Sequence, residues 1–214
     1  LTSGARNVIV GKQAGAAMTT GTNNVVLGVS AMSAADGLER ENIAVGFGAA
    51  GGINNDSAIR NVFIGEYAGY GGTGALNYSV AIGYRALDST GTSGDASGTV
   101  AIGYYAGADI TSGIGNTVIG YQALDAEDDG DFNTAIGYQA LSAQTGVSGE
   151  VGNTAVGYQA GLTLTAGTQN TVMGYQAGKA LLGGGTNTII GSEAGKALNN
   201  GGSNTIVGRH SAYS

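Results

Sequence analysis

One short pattern recurs twelve times in this chain, and repetition at a near-fixed step constrains a fold more than any local feature does. Its fullest form is Asn133-Thr134-Ala135-Ile136-Gly137-Tyr138-Gln139-Ala140-Leu141. Aligned on the central glycine, copies sit at Gly11, Gly28, Gly46, Gly65, Gly83, Gly103, Gly120, Gly137, Gly157, Gly174, Gly191 and Gly208. Successive glycines are 17 to 20 residues apart, so the motif is constant and the connections vary. At 214 residues the chain is long enough for one or two globular domains, but this period points to one elongated array over residues 1–214.

Each copy reads as one short strand. Three consecutive positions are dominated by apolar and β-branched residues, a glycine that permits a sharp bend follows, and no copy is long enough for a helix. Stacked at one strand per turn, twelve copies predict an all-β parallel β-solenoid of about 12 turns, a rod roughly 50 to 55 Å long at strand spacing. The 42 glycines come without a single proline, which argues for an ordered array rather than a disordered low-complexity chain. Cysteine is absent, so disulfides and cysteine-ligated metals are excluded. No run approaches the roughly 18 apolar residues of a membrane span. The net charge of −7 argues against nucleic acid as a partner. The first copy begins six residues into the chain and the last runs to its end, which we read as a fragment of a longer fibre.

Alternation predicts the faces. The residue before each glycine, from Val10 and Leu27 through Ile136 to Val207, is always large and apolar and is expected to point into the coil. The residue two earlier shares that face. It is Val or Ile in the first six copies and Thr in the last six, namely Thr117, Thr134, Thr154, Thr171, Thr188 and Thr205. Such a threonine row invites an ice-binding reading, but a place beside core isoleucines would bury it. Between the two lies a row with no polar residue, including Ile9, Val26, Ala44, Phe63 and Ala135, which is expected to face outward and to need cover. Three residues after the glycine comes alanine in eleven of twelve copies, placed in a tight interior. A lone coil with so thin an interior would be marginal. A wholly apolar outward row therefore suggests a coaxial homotrimer.

The unit N-[TVI]-x-[IV]-G-x-x-A resembles the head repeat of trimeric autotransporter adhesins, the YadA-like head, whose core Ser79-Val80-Ala81-Ile82-Gly83 matches outright. The longer form at Asn133 to Ala140 is similar to repeats in tail fibres of phages and phage-like particles. The resemblance covers nearly the whole chain. It implies a left-handed β-roll of three chains on the outside of a cell or virion, acting in adhesion or host-surface recognition through multivalent display of variable loops. The period is longer than is usual in adhesin heads, and no anchor, stalk or chaperone segment is in the sequence, which leaves adhesin and particle fibre both open. A purely structural spacer with its receptor-binding tip elsewhere is the alternative.

Candidate sites are few. The leading asparagine, present in ten copies, reads as a corner residue that stacks into an amide ladder. Tyr104, Tyr121, Tyr138, Tyr158 and Tyr175, preceded by Tyr84, form a stripe that would take a cell-surface glycan or pack between subunits, a protein receptor being the other class of partner. Asp125, Glu127, Asp128, Asp129 and Asp131 put five carboxylates in seven residues, enough hard oxygen for calcium, although a solvated loop explains them too. One histidine, His210, has no nucleophile or acid arranged near it in sequence, and no enzyme is expected. A fibre-borne glycan depolymerase would have only the 125–131 loop for its carboxylates.

Overall fold

A strand of three residues shows one side chain on one face and two on the other, and this simple asymmetry sets the architecture. The computed structural model describes residues 3–54, 58–71, 76–89, 95–145 and 148–212, and these contain no helix. Twelve of the strands are three residues long: β1 (Val8–Val10), β2 (Val25–Leu27), β3 (Ile43–Val45), β4 (Val62–Ile64), β5 (Val80–Ile82), β6 (Val100–Ile102), β7 (Thr117–Ile119), β9 (Thr134–Ile136), β11 (Thr154–Val156), β12 (Thr171–Met173), β13 (Thr188–Ile190) and β14 (Thr205–Val207). They form one parallel sheet in sequence order. Twelve strands span eleven steps, so the chain is a parallel β-solenoid of about eleven turns. Every strand pairs with the next in unshifted register, opening residue to opening residue, as in Thr134↔Thr154 and Ile136↔Val156. Two short strands, β8 (Gly130–Asp131) and β10 (Gly149–Glu150), pair in a second small parallel sheet.

The faces are the reverse of the expectation from sequence. The middle residue of each strand lies inside: Val26, Ala44, Phe63, Ala81, Ala101, Val118, Ala135, Ala155, Val172 and Ile189 are buried. The flanking residues, the large apolar one before the glycine and the Val, Ile or Thr before it, point out. Alternation establishes that the two sets face opposite ways but carries no sign. The coil is thin, and it admits the single middle side chain rather than the pair. The six threonines are accordingly on the outer surface, and the burial expected for them does not hold.

What fills the interior is a volume balance within each turn. The alanine three past the glycine is inside as expected, from Ala31 to Ala194. Beyond it, the fourth and seventh positions trade size. Gly15 goes with Met18, Gly107 with Ile110, Gly161 with Leu164 and Gly178 with Leu181, whereas Met32 goes with Ala35. The middle residue joins the exchange. A Cβ on Gly69 would come 2.1 Å from the Phe63 ring, so the one aromatic middle residue requires that glycine. Among the described residues, two turns break the apolar rule at the seventh position with Glu127 and Gln144, both fully buried. They satisfy each other, Gln144 Nε2 donating to Glu127 Oε2 at 2.6 Å, as burial of polar groups demands.

The corners come from left-handed backbone. Around the ninth strand, Phe132, Gln139 and Leu141 have φ of 58°, 53° and 53°, and Gly137 lies at 133°. Gly137 is constrained twice: a Cβ there would sit 2.4 Å from the carbonyl oxygen of Gly157 in the next turn. The asparagine expected at a corner is not itself left-handed. The residue before it is, as Phe132 is before Asn133. Its side chain instead makes the amide ladder. Asn170 Oδ1 accepts from Asn187 N at 3.0 Å and Nδ2 at 2.8 Å, while Asn170 Nδ2 reaches across the coil to Gly184 O at 3.0 Å. Asn170 thus ties its turn both to its neighbour and to itself, whereas the buried Nδ2 of Asn133 has no hydrogen-bond partner.

Candidate functional site

The unshifted register stacks whatever side chain follows the glycine, one strand spacing above the last. Where that residue is tyrosine in six successive turns, the rings form a continuous column. Centroids from Tyr84 through Tyr104, Tyr121, Tyr138 and Tyr158 to Tyr175 are 5.3, 5.1, 4.9, 5.2 and 5.2 Å apart, with interplanar angles of 4 to 15°. All five predicted stripe residues are therefore brought together. From Tyr104 to Tyr175 they remain 41 to 51% exposed. The rings of the inner members face one another, so what solvent meets is mainly their edges and hydroxyls.

Beside the column runs a lane the sequence reading missed. The next residue in four turns is glutamine, held in left-handed conformation, and the amides link: Gln139 Nε2 donates to Gln122 Oε1 at 3.2 Å, Gln159 to Gln139 at 3.1 Å and Gln176 to Gln159 at 2.9 Å. The signal was the repeated Tyr-Gln pair, which identical register turns into two ladders. No charged residue occupies either lane between Tyr121 and Gln176. At the lower end, the Arg85 guanidinium lies 5.6 to 5.9 Å from the ring centroids of Tyr67, Tyr84 and Tyr105, an arrangement that favours a cation over aromatic faces.

The acidic loop is less open than its composition suggested. Glu127 is fully buried, and its Oε1 accepts from the backbone N–H groups of Asp128, Asp129 and Gly130 at 3.2, 3.3 and 2.9 Å. Asp131 Oδ1 accepts from Ile114 N at 2.8 Å. Two of the five carboxylates thus hold backbone in place. Asp125 stands apart, its carboxyl pushed up to about 6 by burial, with Asp109 adding repulsion. Asp129 is also held above the usual carboxylate range, by burial first and then by Asp128. Ligand oxygens of Glu127, Asp128 and Asp129 come within 4.8 Å of one another. Calcium there would have to compete for Glu127 with three backbone donors and Gln144.

Near the last strand, His210 Nε2 lies 2.6 Å from Glu193, which also holds Lys196 at 2.5 Å. That contact links successive turns and joins residues 17 apart, which is why no local motif announced it. No protein-family model matches the chain, and no curated protein or solved structure matches it.

Proposed function

We propose that this chain is one strand of a coaxial trimer, a left-handed roll forming the head or shaft of an extracellular fibre, and that it serves adhesion or host-surface recognition. The observation that carries the reading is the outer face of the twelve-stranded sheet. Of its 24 outward positions, the twelve before the glycines are all apolar and so are six of the twelve that open the strands. This strip runs the length of the rod. Continuous apolar surface of that extent marks an interface rather than a solvated face, and an identical rod offers an identical strip to cover it. The resemblance to adhesin heads and fibre repeats supports the same arrangement.

In that assembly recognition is the work of groups that differ between turns, shown three times around the axis, so that weak contacts add through avidity. The near identity of the last six copies favours the alternative, a spacer that only carries a tip. Binding of bead-immobilised protein to intact cells separates the two. Adhesion is expected of a head, and bare beads that match protein-coated ones would leave the spacer. If the strip proved uncovered, the outward threonine row would be free, and thermal hysteresis on cooling would be the measurement for ice binding.

A further inference from the structure

The geometry points to the Tyr84–Tyr175 column and its glutamine lane as a binding stripe for an uncharged, extended β-1,4-linked polysaccharide lying parallel to the solenoid axis. The inference rests on the reading of the chain as an adhesive fibre, and it names a ligand class for it. Three observations carry it. First, the ring spacing is 4.9 to 5.3 Å over six rings, and a fully extended β-1,4-linked hexose chain advances per sugar by a length close to that ring spacing. Ligand and protein therefore stay in step over several residues, which a flexible or strongly kinked glycan does not.

Second, the exposed chemistry suits hydroxyl-rich molecules. An aromatic ring carries its positive rim at the edge, and the edges and phenolic hydroxyls are what the column leaves open. The sugar therefore does not lie flat on a ring face. It runs along a ridge of edges, its oxygens against the C–H rims and its hydroxyls exchanging hydrogen bonds with the phenols. Gln139, Gln159 and Gln176 each spend one amide N–H on the ladder and keep the other, since an amide nitrogen has two donors. Third, charge selects against the polyanionic glycans. From Tyr121 to Gln176 the stripe carries no charge, the cation beside it is Arg85 at the Tyr84 end, and the whole chain carries −7, so an acidic polysaccharide is repelled along most of its length.

The test is titration calorimetry of the full chain with cellohexaose and chitohexaose, beside the corresponding trisaccharides, dextran and heparin. Binding of at least one hexasaccharide is expected, at least five times tighter than its trisaccharide, with dextran and heparin inert. Tyr121→Ala with Tyr138→Ala should weaken it tenfold or more. Tyr138→Phe keeps the stack and removes one hydroxyl, so a loss of about threefold with unchanged thermal melting isolates recognition from folding. Absence of hexasaccharide binding overturns the inference. So does heparin binding as tightly, or a column whose fluorescence resists acrylamide quenching, which would put it inside a subunit contact. Cell adhesion that persists without oligosaccharide binding would retain the fibre reading and move recognition to the loops, whereas loss of both would sink both.

Discussion

The first six copies of the motif and the last six share one interior and wear different surfaces. Inside, both halves use the same buried alanine and the same strand-ending glycine against the next turn's carbonyl. Outside, the strand-opening residue is Val or Ile up to Val100 and Thr from Thr117. The aromatic groups differ too. Early ones cluster edge to face, as in Phe47, Tyr67 and Tyr70, and later ones stack in a column. Between the halves the asparagine ladder is interrupted by Ser79 and Thr99, where the bond to Asn116 N stretches to 3.4 Å. A solenoid of this kind separates two codes. Inward positions specify the coil and cannot drift, while outward ones are free to specify partners.

If that separation holds, Gly46→Ala and Gly137→Ala should damage the two halves equally. Each adds a Cβ 2.4 Å from a carbonyl oxygen in a backbone conformation reserved for glycine, costing about 3 kcal/mol or more. Urea melts that showed one half indifferent would break the comparison. The ladder gives the next largest effect. Asn170→Ala leaves the buried Asn187 N without its partner and frees the more exposed Gly184 O, a loss of about 2 kcal/mol. Ser79→Asn should do the opposite across the seam, raising Tm by roughly 2 to 4 °C for a gain near 1 kcal/mol. Tyr138→Ala tests the later surface alone. Removing one ring from between two others should cost about 1 kcal/mol, whereas Tyr78→Ala, outside the column, should cost less.

The last expected effect concerns pH. Asp125 has a folded-state pKa raised to about 6 from 3.8, so the folded form favours its proton. Stability is fully present below the unfolded value and declines as pH rises through 6. Asp125→Asn should therefore melt higher than the parent at pH 7.5 and match it near pH 4.

The sequence told more about order than about sides. Strand positions, register, the asparagine ladder and the interior alanine were legible because each rests on a residue type repeated at a fixed offset. The side was not. Ile136 and Ala135 alternate, and only the balance among Ala135, Ala140 and Leu141 shows which of them the coil has room for. The left-handed corners were hidden for a related reason. They fall on Phe132, Gln139 and Leu141, residue types that carry no turn signal and are held there by neighbouring turns. In the site, the tyrosine column followed from the repeat itself. The partners of Glu127 did not, because Gln144 lies 17 residues on and only stacking brings it near.

All of this leaves one strip of apolar side chains facing out along the whole rod, and the account requires identical chains to cover it. Multi-angle light scattering on the purified chain measures that directly. The account predicts a mass three times the 20.9 kDa of one chain, falling to a single chain when Ile119→Asp and Ile136→Asp place charges in the strip. A parent chain that runs as a stable monomer would contradict it.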